Sequence, residues 1–160
     1  MSDNRPILLA TDGSPSAVRA QREALELARL MDAPLLAVSV EHVVLPAVGY
    51  SAYGFSQVVA ELTEAERKRA EQTVTAAAAA ASTLDVPCTT IVTEGGVPDE
   101  ICRIASEHDA RMIVVGSHGW GAGKRLLFGS VSAALLHQAP CPVLVARGDA
   151  KDVVEHPAAA

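Results

Sequence analysis

Residues 111–132 read RMIVVGSHGWGAGKRLLFGSVS, and the fold turns on this stretch. Arg111 to Gly116 is a short apolar run of the kind that forms a strand buried on both faces. Glycine then recurs at positions 116, 119, 121, 123 and 129. From Ser130 a helical pattern runs through Leu135, Leu136 and His137 until Pro140 and Pro142 stop it. A buried strand, a glycine-rich connection and a helix start form an order in which backbone amides can approach an anion closely.

The same alternation extends outward along the chain. Pro6 to Thr11, Ala33 to Val40, Cys88 to Thr93 and Pro142 to Ala146 are further strand-like runs. Ser14 is placed to cap a helix with Pro15 at its first position, and Ala17, Ala24, Leu25, Ala28 and Met31 recur on one helical face. A second helix is expected from about Gln57 to Thr83. It carries a charged face of Glu61, Glu64, Glu66, Arg67, Lys68, Arg69 and Glu71, best read as solvated, and an alanine run from Ala76 to Ala81. A third helix starts near Pro98, with Asp99 and Glu100 favourable in its first turn and Ile101, Ile104 and Ala105 inward.

Strict alternation of strands and helices predicts an α/β fold: a single-domain open five-stranded parallel sheet with helices on both faces. Such sheets bind ligands beyond the carboxyl ends of their strands, where the strand order reverses. The expected domain covers residues 1–147, followed by a flexible tail at 148–160. The segment from His42 to Phe55, rich in Gly, Pro and Tyr, is a loop on the ligand-binding rim.

Composition narrows the function. The chain has 160 residues, 49% hydrophobic and 20% charged, which fits one globular domain with a substantial core. A net charge of −6 argues against a phosphate-backbone binder, and one Trp, two Tyr and two Phe are too few for a base-stacking platform, so no nucleic acid partner is expected. The opening MSDNRP lacks a signal or transit pattern, and the uncharged stretches at 42–60 and 126–146 are broken by Pro and Gly, so no membrane insertion and a cytoplasmic location are expected. Cys88, Cys102 and Cys141 are widely spaced and suit free thiols in a reducing compartment.

Two phosphate motifs can be tested against the glycine region. A Walker A loop needs Gly at 118 and Ser or Thr at 125, where the chain has His and Arg. A dinucleotide fingerprint starting at Gly121 meets Leu126 where its third glycine belongs. What remains is Gly116-x-x-Gly119, nine residues, then Gly129-Ser130. This spacing, with Ala10-Thr11-Asp12-Gly13-Ser14 at the first strand end and the closing run from Ala139 to Val145, resembles the universal stress protein family over nearly the whole chain. It is most similar to the members carrying the ATP-binding signature.

The resemblance implies a Rossmann-like fold with adenine nucleotide hydrolase-like topology, and ATP as the ligand, with Mg²⁺ or Mn²⁺ carried through its phosphates. It also implies a site of Ala10, Thr11, Asp12, Val40, Val115, Gly116, His118, Gly119, Gly129, Ser130, Val131 and Ser132. Asp12 matches the aspartate near adenine and ribose, and Val40 the position whose backbone meets adenine. The physics agrees at the other end: amides opening a helix at Gly129 to Ser132 face a polyphosphate, with the Ser130 and Ser132 hydroxyls as extra donors. Lys124 and Arg125 add charge nearby. His118 reads either as a ligand contact or as a turn residue with a supporting role, and Trp120 either as a shield for the site or as a loop anchor. Arg111 departs from the family's frequent acidic residue there, outside the nucleotide site.

No paired His spacing, HExxH or GxSxG accompanies these residues, and the first strand ends in TDGSPS, not the SGGxDS loop of related hydrolases. The reading is therefore a nucleotide-binding regulator of some partner protein in a stress response, with at most slow ATP hydrolysis and no catalytic residue assigned. A nucleotide-free scaffold of the same fold is the alternative. The fifth strand, with Val143, Leu144 and Val145 on an open edge, is expected to pair with a second copy as a homodimer.

Overall fold

In a computed structural model the described residues are 4–41, 55–118 and 129–147, with the side chains of 55–58 excepted. Five strands, β1 (Ile7–Ala10), β2 (Leu35–Glu41), β3 (Cys88–Glu94), β4 (Met112–Gly116) and β5 (Val143–Ala146), alternate with four helices among those residues. The helices are α1 (Pro15–Met31), α2 (Phe55–Ser82), α3 (Val97–Glu107) and α4 (Ser130–Gln138). All pairings are parallel, in the order β3-β2-β1-β4-β5. The expected architecture is the observed one, and element ends differ from the sequence reading by only a few residues.

Side-chain alternation along each strand divides the core into two layers. Ile7, Leu9, Leu35, Ala37 and Val114 face α1 and α2, packing on Ala20, Ala24, Leu25, Ala28, Val74, Ala77 and Ala81. Leu8, Ala10, Leu36, Val38, Ile113 and Val115 face α3 and α4, packing on Ile101, Ile104, Ala105 and Leu135. The alanine run of α2 is thus the stripe by which a long helix approaches the sheet closely. By contrast, residues 60–69 of that helix are exposed at every position.

The chain builds β1, β2 and β3 outward in one direction and then returns across the sheet to place β4 on the other side of β1. The order therefore reverses between β1 and β4. Ala10 of β1 is in register with Val38 of β2 on one side and Val115 of β4 on the other, so the three carboxyl ends lie level. Connections leaving this level diverge to opposite faces and open a crevice. No helix among the described residues is long and apolar enough to cross a membrane.

Candidate functional site

The crevice is a cavity of about 600 Å³, in the usual range for small-molecule sites. Its walls come from four directions. The floor is formed by Ala10 and Thr11, by Val38, Ser39 and Val40, and by Val115 and Gly116 at the strand ends. Asp12, Ser14 and Ala17 form the lip that opens α1, and Gly129 to Ser132 form the start of α4. Val97 and Ile101 add an apolar wall from α3. Across from them, α2 contributes Glu66, Arg69, Ala70 and Thr73. Their spacing of three, four and seven residues places them on one helix face.

Eleven of the residues named from the sequence thus surround one cavity: Ala10, Thr11, Asp12, Val40, Val115, Gly116, His118, Gly129, Ser130, Val131 and Ser132. Gly119 lies outside the described residues, as do Trp120, Lys124, Arg125, the 42–54 loop and the tail from 148. The α2 wall was missed: a charged helix face reads as solvated. The period linking Ala70 and Thr73 to the alanine stripe at Ala77 and Ala81 was the signal that one side of that face turns inward.

The lip at β1 is a tight turn. The Ser14 amide donates to Asp12 Oδ1 at 2.9 Å, and Gly13 takes a positive φ of 72°. Ser14 then caps α1, its Oγ accepting from the Ala17 amide at 3.3 Å, with Pro15 first in the helix as expected. At the opposite lip, Gly129 is the N-cap of α4 in extended conformation, with no side-chain cap bond. The first turn of α4 forms one side of the cavity, and its N-cap residue, a glycine, supplies no capping side chain. Ser130 is exposed there.

Ser132 departs from its expected role. It is only 2% exposed, and its hydroxyl donates to the carbonyls of Gly129 at 3.0 Å and Ser117 at 3.3 Å. A hydroxyl has one proton to give. Ser132 therefore braces the turn, while Ser130, in the same helix turn, lines the cavity as well. His118 serves through both its backbone and its ring: its backbone is held by Ser14, which caps α1, and by Ser16 in the first turn of α1, and its Nδ1 lies 3.0 Å from Ser117 Oγ.

The cavity is electrically polarised. Asp12, Glu41 and Glu66 place carboxylates toward β1, β2 and α2, with Arg69 among them, whereas the α4 end presents amides and a helix dipole's positive end. Partial burial pushes the Glu41 carboxyl above its usual range against the pull of Arg67, and the neighbouring Glu94, Glu71 and Glu64 add to the rise. One end thus attracts hydrogen-bond donors and the other attracts an anion. Apolar Val38, Val40, Val97 and Ile101 lie between α3 and the strand ends, where a flat ring can be covered.

A parallel sheet of this order, with a reversal between β1 and β4 and a crevice between an aspartate-tipped strand and a helix start, is an open α/β domain with helices on both faces. The universal stress protein family model matches residues 3–147, and the chain belongs to that family. A universal stress protein of Methanocaldococcus jannaschii is 32% identical over 148 residues, covering 92% of this chain and 85% of that one. The solved universal stress protein UspA from Lactobacillus plantarum superposes with a TM-score of 0.78 at 27% identity, covering 90% of this chain and 98% of its own. The universal stress protein from Archaeoglobus fulgidus, solved in complex with dAMP, has a TM-score of 0.63 at 25% identity, covering 91% and 99%.

Proposed function

We propose that this chain binds an adenine nucleotide, ATP in the first instance, in the crevice between β1 and β4 and acts through the bound state with little or no hydrolysis. The observation that carries the reading is the polarity of the cavity: carboxylates at Asp12, Glu41 and Glu66 oppose the helix start that opens at Ser130. An adenine nucleotide has the matching polarity, with an amine and ribose hydroxyls at one end and an anion at the other. The base lies against Val38, Val40 and Ile101, the ribose reaches Asp12, and the phosphates take the α4 amides and Ser130. The dAMP complex of the Archaeoglobus relative supports the ligand class.

In this reading a divalent cation, Mg²⁺ or Mn²⁺, is carried on the phosphates and offsets the negative chain. His118 is committed to holding the turn through its backbone and its bond to Ser117, which suits retention better than turnover. Isothermal titration of the purified chain with ATP, ADP, AMP and GTP tests it, together with mass spectrometry of nucleotide released on denaturation. Saturable binding of adenine nucleotides in preference to GTP is the expected result. No binding to any of them points to the scaffold alternative. ATP turnover near ten per second, ordinary for an enzyme, overturns the non-hydrolytic part.

A further inference from the structure

Ser16 lies in the first turn of α1, outside the phosphate motif and outside the cavity wall, which includes Ser14 and Ala17 on either side of it. Yet its hydroxyl is hydrogen-bonded to both polar groups of a residue on the opposite strand end. It donates to the His118 carbonyl and accepts from the His118 amide at 3.3 Å. Ser14 Oγ donates to the same carbonyl at 3.3 Å. On the other side, the preceding carbonyl, that of Ser117, accepts from the Gly129 amide at 2.6 Å and from Ser132 Oγ.

Ser117 and His118 are therefore a two-residue bridge between the first turn of α1 and the first turn of α4. Gly116 makes the approach possible: a Cβ there would lie 2.8 Å from the Ser16 carbonyl carbon and 2.9 Å from the Ala17 amide nitrogen. With no side chain in the way, the start of α1 rests directly on the end of β4. The two lips of the crevice, Asp12 on one and Gly129–Ser132 on the other, are spaced through this contact.

We propose that Ser16 is a positioning residue for the nucleotide: without touching the ligand, its hydroxyl sets the span between the Asp12 lip and the phosphate-facing amides of α4. The inference rests on the nucleotide reading above and extends it. A ligand that engages both lips gains from a span fixed in advance, because the second contact is made at no further ordering cost. A ligand that engages only one lip gains nothing from the span. Removing the hydroxyl leaves each lip intact, since the Ser14 cap, the Asp12 turn and the Ser132 brace do not involve it. What is lost is the Ser16 share of the link between them, both of its bonds to His118, with the Ser14 bond to the same carbonyl remaining.

The test compares the wild type with Ser16→Ala and Ser16→Thr by titration calorimetry against three probes. AMP reaches both lips, adenosine the base end, and inorganic tripolyphosphate the helix end. Ser16→Ala is expected to weaken AMP about tenfold, the size of effect that losing one or two net hydrogen bonds carries. Adenosine and tripolyphosphate should change by less than about twofold, and Ser16→Thr should restore AMP, since it returns the donor and acceptor. Undiminished AMP affinity, or an equal loss for all three probes, overturns the proposal. Hydrogen exchange in the ligand-free chain supplies a second readout: the Ser16→Ala change should speed exchange of the His118 and Gly129 amides, and unchanged exchange overturns the proposal by itself. A wild type that binds none of ATP, ADP and AMP defeats the nucleotide reading instead, and the exchange measurement still decides the role of Ser16 in the bridge.

Discussion

The Gly129 amide donates to the Ser117 carbonyl at 2.6 Å, so the residue that caps α4 is tied to the residue that follows β4. Gly129 has φ −73° and ψ 165°, which any residue adopts. Its lack of a side chain matters for space. A Cβ there would come 3.2 Å from the Ser117 oxygen and 3.5 Å from His118 Cα. That oxygen is already held by Gly129 and Ser132, so it gives way only by loosening the turn.

Gly129→Ala should therefore weaken AMP binding by roughly tenfold while the chain stays folded, at a cost of about 1–3 kcal/mol typical of overpacking. Gly129→Val, with two more carbons near the same carbonyl, should be worse in both respects. Calorimetric titration beside urea unfolding separates binding from stability. An alanine variant that binds as tightly as wild type would remove Gly129 from the site.

Gly13 is a different case, because both its conformation and its space demand glycine. Its φ is 72°, and a Cβ would meet Thr73 Oγ1 at 3.1 Å, where that hydroxyl donates to the Arg69 carbonyl. Gly13→Ala should cost about 1–2 kcal/mol from the left-handed backbone alone. The contact with Thr73 adds a steric part that Thr73→Ala should relieve in the double variant. Chemical denaturation of the four proteins reads this as a coupling energy, and additive single effects would show that Gly13 and Thr73 do not press on each other.

Acid should weaken the join between β3 and α3. Glu100 accepts from Arg103 at 2.7 Å and from Thr93 Oγ1 at 2.9 Å, and these bonds hold its carboxyl below the usual glutamate range. A carboxyl with a depressed folded pKa stabilises the fold above its unfolded pKa, and that contribution disappears as pH falls through the folded value. Glu100→Gln should thus lower the melting temperature at neutral pH and make no difference at pH near 2. An equal deficit at both pH values would assign the effect to packing.

The two sheet edges differ in character. On β3, Thr89, Thr90 and Glu94 are exposed and give a polar edge, whereas Val143, Leu144 and Val145 of β5 are half-buried apolar residues beside an unpaired backbone edge in the chain described. Apolar edges invite pairing, and a second copy related by a two-fold axis would cover this one. Sedimentation at low micromolar concentration is expected to give twice the 16.6 kDa chain mass, with Val143→Lys reducing it to a monomer. A wild-type monomer contradicts the pairing, and a dimer that survives Val143→Lys places it elsewhere.

The strands were legible because central parallel strands are buried on both faces and read as unbroken apolar runs, as in ILLA of β1 and MIVVG of β4. The floor and lips of the cavity were legible for a related reason: a parallel sheet places strand ends and helix starts on one rim, so Asp12 and Gly129 meet although 117 positions separate them in sequence. The α2 wall was not, because Glu66 and Arg69 belong to a run of charges whose inward side depends on where the alanine stripe crosses the sheet. That crossing is set by tertiary packing of Ala70, Val74, Ala77 and Ala81, which no local pattern states. The bracing bonds of the Ser132 hydroxyl were not legible either, since only the turn's geometry brings the Gly129 and Ser117 carbonyls within its reach.

The central claim is that an adenine nucleotide lies between the ends of β1 and β4, and amide chemical-shift mapping of the labelled chain during titration with ATP and Mg²⁺ tests it most directly. The largest shifts are expected on Thr11, Asp12, Val40 and Gly129 to Ser132, with Ile101 and Thr73 following from the side walls. Saturating shifts centred instead on the second groove, between Arg22, Arg29 and Leu30 of α1 and Leu84, would contradict it.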